Sequence, residues 1–347
     1  MSGLGGVSLG ALVLGAAAVA GVAVEGVRRL AIRRDILDRP NARSSHVTPT
    51  PRGGGIAIVG VVLAGWALGA MGGTWSAGLV AGTLLVASVS AADDLRSLPA
   101  RTRFAVQGMA AVTLLALAGP WSSIALPGLG AVSGVGWGAM LSAGLGVLWC
   151  LGLTNAYNFM DGIDGIAASQ AVVAGGAWAV AGWLLGVPLL ALTGGLVAGA
   201  SLGFLVHNWS PARIFMGDVG SASLGFVFAA LPLVAAARLD GDVAARVPTA
   251  GLLAVWPFVF DAVSTFVRRL RAGANVFEAH RTHLYQRMVI AGGSHRTVAG
   301  LYTACAVLSA GCGMGWLVWG SAAGAWIGLA SVPVVLLGAT RYVEGAR

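Results

Sequence analysis

Lysine is absent from the chain: all 21 basic residues are arginine. Charge of either sign is scarce, at 10% of 347 residues, where a soluble domain carries about 25%. That scarcity excludes an ordinary soluble domain. Cysteine is nearly absent too. Cys150, Cys305 and Cys312 each lie in an apolar run without ligand-like spacing. They read as packing residues, and neither a disulfide framework nor a metal role is expected of them. What fills the chain instead is apolar: 57% hydrophobic residues and a mean hydropathy of +0.84. The 54 glycines suit close helix packing in lipid. The expectation is an all-α integral membrane protein, a single polytopic domain over residues 1–347, with no internal repeat.

Eleven apolar runs approach the roughly 20 residues that span a bilayer. They are 4–27, 54–71, 75–92, 104–121, 135–153, 166–185, 189–206, 221–237, 247–267, 298–318 and 321–340. The count predicts a bundle of about 10–11 transmembrane helices. The segment 122–134, punctuated by Pro127 and several glycines, reads as a loop or re-entrant hairpin. No basic residue precedes the first run, and Arg28, Arg29, Arg33 and Arg34 follow it. Positive charge marks the cytoplasmic side, so the N-terminus is expected outside. Eleven spans then place 19 arginines inside and only Arg238 and Arg246 outside. The net charge of +8 is thus an orientation signal, and a nucleic-acid partner is not expected.

The acidic residues concentrate on the same side. Asp93, Asp94, Asp161, Asp164, Asp218 and Glu278 all fall on the inside connections or at their helix ends. Carboxylates at a membrane are expensive and commonly functional. Asn155, Asn158, Asp161 and Asp164 recur every third residue where the fifth run ends. This ladder would wrap about half a helix and line the rim of a pocket for a polar, metal-bound substrate; a wetted helix end is the plain alternative. Asp93-Asp94 is either a helix cap or a catalytic pair. Leu95, Arg96, Ser97 and Leu98 follow it, so the spaced third aspartate of an aspartate-rich prenyltransferase is missing. Asp218, ahead of an apolar helix, suits an N-cap or a metal ligand. Arg43, His46 and Arg52, with the amides of Gly53–Gly55, could hold phosphate. His280 and His283 would share a helix face and donate to a diphosphate; zinc lacks a third soft ligand. Asp261, inside the ninth run, is either an intramembrane functional group or a paired structural one.

These stretches run in one order: Arg-Ser-Ser-His…Pro-Thr-Pro-Arg-Gly-Gly-Gly; Asp93-Asp94; Asn-Ala-Tyr-Asn-Phe-Met-Asp-Gly-Ile-Asp-Gly; Pro-Ala-Arg-Ile-Phe-Met-Gly-Asp; His-Arg-Thr-His-Leu-Tyr-Gln. Together they resemble the polyprenyl-phosphate N-acetylhexosamine-1-phosphate transferases, glycosyltransferase family 4. The resemblance implies transfer of a sugar-1-phosphate from a UDP-N-acetylhexosamine to undecaprenyl phosphate with release of UMP, at the cytoplasmic face of the bacterial inner membrane. It implies Mg²⁺ (Mn²⁺ as substitute) on Asp218, and a catalytic pair Asp93 and Asp94 near the lipid phosphate. It implies a nucleotide pocket of Asn158, Asp161 and Asp164 with Asn208, Phe215 stacking on uracil, Asn155 as a further substrate-binding residue, and a histidine loop of His280 and His283. Arg281 and Thr282 separate these histidines, unlike the denser cluster of the phospho-MurNAc-pentapeptide transferases. The pattern is nearer the subgroup that starts O-antigen-like polymers. Partners would be the carrier lipid, the UDP-sugar, membrane lipid and, in a homodimer, a second copy. A transporter or flippase of a phosphorylated polyprenyl lipid is the competing class, but it needs polar groups at the midplane or on both faces.

Overall fold

An apolar segment in lipid must satisfy its own backbone hydrogen bonds, and a helix does this within one segment. The computed structural model describes residues 8–40, 48–69, 72–133, 137–275, 278 and 280–346. Among the described residues, each apolar run lies on helix over most of its length. The first five are α1 (Leu9–Arg33), α2 (Gly55–Leu68), α3 (Thr74–Arg96), α4 (Ala100–Ala118) and α5 (Trp137–Phe159). α6 (Ile166–Leu184), α7 (Pro188–Asn208) and α8 (Asp218–Ala236) follow. α9 (Gly241–Ala254) and α10 (Trp256–Arg271) share the ninth run, and α11 (Leu284–Ile290) is short. α12 (His295–Trp319) and α13 (Ala322–Gly345) carry the last two runs.

Among the described residues, eight helices are long and apolar enough to cross a membrane, nine if α9 and α10 form one span. α2 and α4 fall short of that measure yet run between the same two ends of the bundle as their neighbours: Gly55 meets Gly220 at the start of α8 and Gly69 meets Leu192 near the start of α7, while Arg103 meets Asp93 and Leu114 lies by Gly78. α2 has 14 residues, about 21 Å of helix against a hydrocarbon core of about 30 Å. α4 opens on Arg101 and Arg103. The ninth run is broken: α9 and α10 meet at 72°. Pro257 lacks an N–H and its ring conflicts with the preceding turn, so the helix cannot continue through Val255. α10 therefore leaves the bundle, exposing Val263, Phe266 and Leu270.

α8 is buried along nearly its whole length, with α2, α3, α5 and α9 packed around it. Glycine sets how closely α6 and α7 approach. A Cβ on Gly182 or Gly194 would stand 2.2 or 2.4 Å from the backbone nitrogens of Ala191 and Ala179. Residues 122–134 contain an antiparallel hairpin of β3 (Ser123–Leu126) and β4 (Gly130–Ser133). Thr249 and Trp326 donate to its carbonyls at Ala125 and Pro127, which pins it to one end of the bundle. Arg238 and Arg246 lie at that same end, over the rings of Trp75 and Trp316. The opposite end collects the last turn of α3, the first of α8, and the loops before α2, α6, α8 and α12. There β1 (Leu37–Asp38) pairs antiparallel with β2 (Thr50–Pro51).

Candidate functional site

Asp93 and Asp94 stand in the last turn of α3, and Asp218 is the first residue of α8. The antiparallel packing of these two helices brings the three together. Asp218 does not cap its own helix; Gly217 holds that position. The cap comes from Asp94, whose carboxylate accepts the N–H groups of Asp218 (3.2 Å) and Val219 (3.1 Å). A carboxylate there also complements the helix dipole. Asp93 accepts from the Leu98 N–H (2.6 Å), turning the chain into α4, and pairs with Arg103 Nη1 at 2.7 Å. The same nitrogen lies 3.5 Å from Asp218 Oδ2. Arg103 thus bridges two of the three carboxylates; as one arginine among many in the basic connections, it carried no motif signal.

Arg52 closes the other side, donating to the Asp94 carbonyl at 2.6 Å. The loop it belongs to is zipped onto the loop before α8. Phe215 N–H donates to the Pro51 carbonyl, Gly54 N–H to Phe215, and Gly55 N–H to Met216. This fixes the half-buried Phe215 beside the cluster. Arg43 and His46 lie outside the described residues. The Nε–H groups of Arg52 and Arg103 are buried and have no hydrogen-bond partner among the described residues. A buried donor without a partner is costly, and a phosphate oxygen would satisfy it.

Asn158, in the last turn of α5, accepts from Ser221 Oγ at 2.5 Å and also meets Asp218. Asp161 and Asp164 follow in the loop before α6, so the three-residue ladder is helical only in its first half. Burial, then the charges of Asp218, Asp94 and Asp164, push the Asp161 carboxyl well above its usual range. Asp164 goes the other way. Burial raises it, but the hydrogen bond and charge of His295 outweigh that, and Ser210 and the Ala212 N–H add to them. His295, the first residue of α12, is a site residue that its lone sequence position concealed. Asn208 is buried. It accepts from Gly165 N–H and donates to the Ile214 carbonyl, both at 2.9 Å, so it ties the two polar loops together. Asn155 donates to Gln107 (2.7 Å) on α4 and to the Leu151 carbonyl.

The histidines precede α11 and do not share a helix face; α11 begins at Leu284. Their rings are nonetheless 5.0 Å apart. Burial, then the neighbouring His283, Arg269 and Arg268, lower His280 to about 4, so its ring is neutral at pH 7. His283 is held against Asp261 at 3.2 Å. Tyr285 carries the loop to the aspartates. Its hydroxyl donates to the Phe159 carbonyl at 3.0 Å, and a Cβ on Gly162 would meet it at 2.1 Å.

A cavity of about 630 Å³ runs along α5 and α10, walled by apolar side chains such as Phe104, Trp149, Val259 and Phe266. Asn155, Thr265, Arg269, His280 and His283 supply its polar lining. Phe104 follows Arg103, and Asn155 and Phe159 flank Asn158, so the cavity adjoins the carboxylate cluster. The donor set around Asp218 is carboxylate, carboxamide and hydroxyl oxygen, which suits a hard cation. Among the described residues no three His, Cys, Asp or Glu side chains form a closed metal cage. Mg²⁺ would need only one or two of these carboxylates, filling its octahedron with water and substrate phosphate.

Comparison with known proteins agrees with this geometry. The profile of Glycosyl transferase family 4 matches residues 76–236, from α3 to the end of α8. The chain is 37% identical over 303 residues to the decaprenyl-phosphate N-acetylglucosaminephosphotransferase of Mycobacterium tuberculosis (strain ATCC 25618 / H37Rv), covering 78% of this chain and 72% of that one. It is 30% identical over 277 residues to the probable undecaprenyl-phosphate N-acetylglucosaminyl 1-phosphate transferase of Bacillus subtilis (strain 168), covering 77% and 73%. A shorter match, 42% over 112 residues, is to the phospho-N-acetylmuramoyl-pentapeptide-transferase of Lactiplantibacillus plantarum, covering 32% and 34%.

Proposed function

The chain belongs to glycosyl transferase family 4, and from that premise we propose that it transfers N-acetylhexosamine-1-phosphate from a UDP-sugar to undecaprenyl phosphate, releasing UMP. N-acetylglucosamine is the favoured sugar, because the relatives that cover most of the chain are named for it. The product is the first lipid-linked intermediate of a cell-envelope glycan, made at the cytoplasmic face of the inner membrane.

One observation carries this reading: a carboxylate cluster with two unpaired buried guanidinium donors adjoins a long apolar cavity. That combination suits a substrate with a phosphate head and a hydrocarbon tail. Arg52 and Arg103 receive the phosphates, and the cavity along α10 takes the polyprenyl chain. Asn158, Asp161, Asp164 and Phe215 form the nucleotide side, with Asn208 holding their loops in register. His280 and His283 face the carrier from the other side of the cavity. Asp218 is the first ligand for Mg²⁺, or Mn²⁺ in its place, with Asn158 beside it; the bound ion would neutralise charge on the diphosphate. The clustering of polar residues at one end of the bundle is not the placement a transporter needs.

The reaction exchanges one phosphoanhydride for another, so the task is to bring two anions together and hold them in line. A phosphate's second pKa is about 6, so the lipid phosphate is largely dianionic at neutral pH and needs little base catalysis. Asp93 and Asp94 are already held by Arg103 and by the α8 amides. This favours an orienting role for the pair and direct attack by the lipid phosphate over an aspartyl-phosphate intermediate.

The test is UMP release by purified protein in detergent with undecaprenyl phosphate, Mg²⁺ and a panel of UDP-sugars. Release with UDP-N-acetylglucosamine is expected, abolished by EDTA. The Asp218→Asn variant is expected to be about 10³-fold slower, the scale of several kcal/mol of lost charge stabilisation. No UMP with any UDP-sugar, from protein that still binds the carrier, would sink the proposal.

A further inference from the structure

Asp261 lies in the second turn of α10 and is fully buried. Its carboxylate gathers five donors. Oδ1 receives Leu284 N–H (2.8 Å), Thr265 Oγ1 (3.1 Å) and His283 Nδ1 (3.2 Å). Oδ2 receives Tyr302 OH (2.6 Å) and Tyr285 N–H (3.2 Å). Two of these donors are the first amides of α11, so the residue caps that helix from another one. The two backbone groups can only donate. Each oxygen accepts one backbone N–H, and the ionised carboxylate satisfies all five partners as donors. Facing a carboxylate, His283 must carry its proton on Nδ1. Nε2 is then the one polar ring atom left for the cavity that His283 lines. The ring cannot easily turn, because Tyr285 stacks on it at 5.8 Å and His280 lies 5.0 Å away.

We propose that Asp261 is a positioning residue for sugar-phosphate transfer: it clamps the histidine loop to α10 and holds the Nδ1–H and the orientation of His283, so that Nε2 takes the proton of a monoanionic lipid phosphate and then donates to the resulting dianion in the cavity. This rests on the transferase reading above. A plain structural cap would explain the two amides, but it does not require His283 Nδ1 on the same oxygen. Outer partners that orient a functional histidine commonly matter 10- to 100-fold when removed.

The experiment uses the full chain in detergent, with ¹⁵N-labelled histidine and four variants: Asp261→Asn, His283→Gln, the two combined, and Tyr302→Phe. His283→Gln assigns the His283 signals by subtraction. Wild-type protein is expected to show His283 protonated on Nδ1, and Asp261→Asn to lose that signature. In the UMP assay Asp261→Asn is expected to lower kcat about 10- to 100-fold with KM for the UDP-sugar nearly unchanged. The combined variant should be no slower than His283→Gln alone, because Asp261 acts through that ring. Tyr302→Phe, which removes a donor without touching His283, should lower Tm and leave kcat nearly unchanged. A wild-type His283 protonated on Nε2 alone, with Nδ1 bare, overturns the proposal even if Asp261→Asn does not fold. So do multiplicative losses in the combined variant. The nitrogen spectrum needs no turnover, so failure of the clamp is separable from failure of the transferase reading.

Discussion

At the scale of single residues, the arrangement around Arg103 has a measurable consequence. Its guanidinium stands 2.7 Å from Asp93 and 3.5 Å from Asp218, so it competes for the carboxylate assigned to Mg²⁺. It is also one of the two cations positioned for substrate phosphate. Replacing it with glutamine should lower the Mg²⁺ concentration needed for half-maximal rate while lowering kcat about 10²- to 10³-fold, the loss typical of one charge-stabilising donor. A Mg²⁺ titration of UMP release separates the two effects, and a weaker Mg²⁺ requirement without loss of kcat would contradict the phosphate role. His280 gives a second prediction. Its folded pKa is lowered to about 4, chiefly by burial. Between that value and its ordinary value of about 6.5, the unfolded chain takes up a proton that the folded chain refuses. The associated stability is complete above about pH 6.5 and is lost as pH falls toward 4. Wild-type Tm should therefore drop more over that window than the Tm of His280→Gln; equal slopes would show that burial does not hold the ring neutral.

At the scale of elements, the site depends on how closely α2 and α8 start. A Cβ on Gly55 would lie 2.3 Å from Gly220 Cα, which is backbone and cannot swing aside. Gly55→Ala must push the two helix starts apart. The expected destabilisation is about 1–3 kcal/mol. The activity loss should be larger than a stability change alone would give, because Arg52 and Asp218 sit on either side of the contact. Tm and UMP release on the same preparation test this, and full activity would show that the two ends move independently of the site. The elements themselves were legible. Long apolar runs in lipid have little choice but helix, and the polar ends of α3, α5 and α8 stood out against them. What the sequence concealed came from tertiary packing. The α9–α10 break depends on Pro257, which looked like one more residue in an apolar run. The histidines read as helical by spacing, yet Asp261 draws the helix start to Leu284. Asp94 read as either a helix cap or half of a catalytic pair, and the helix it caps is α8. Arg103 and His295 belong to the site only because α4 and α12 arrive there.

At the scale of the whole molecule, the two ends of the bundle differ in kind. One carries the hairpin, with Arg238 and Arg246 laid over tryptophan rings. The other carries the carboxylates, the histidines and the remaining described arginines. Segments rich in arginine stay on the side where they are made, so the site is expected in the cytoplasm and the hairpin outside. The chain suits a labelling test. Cys150 and Cys305 are buried and Cys312 is half-buried, so background reaction should be low. Leu129 is 75% exposed in the hairpin turn, and Arg39 is exposed just beyond α1. With a membrane-impermeant maleimide, Leu129→Cys should react in cells whose inner membrane is intact. Arg39→Cys should react only after that membrane is permeabilised. Both proteins should still release UMP, since neither side chain touches the cluster. The reverse pattern would put the carboxylates on the side that lacks UDP-sugars. A charge distribution of 19 arginines against 2 would then have to be explained by something other than orientation.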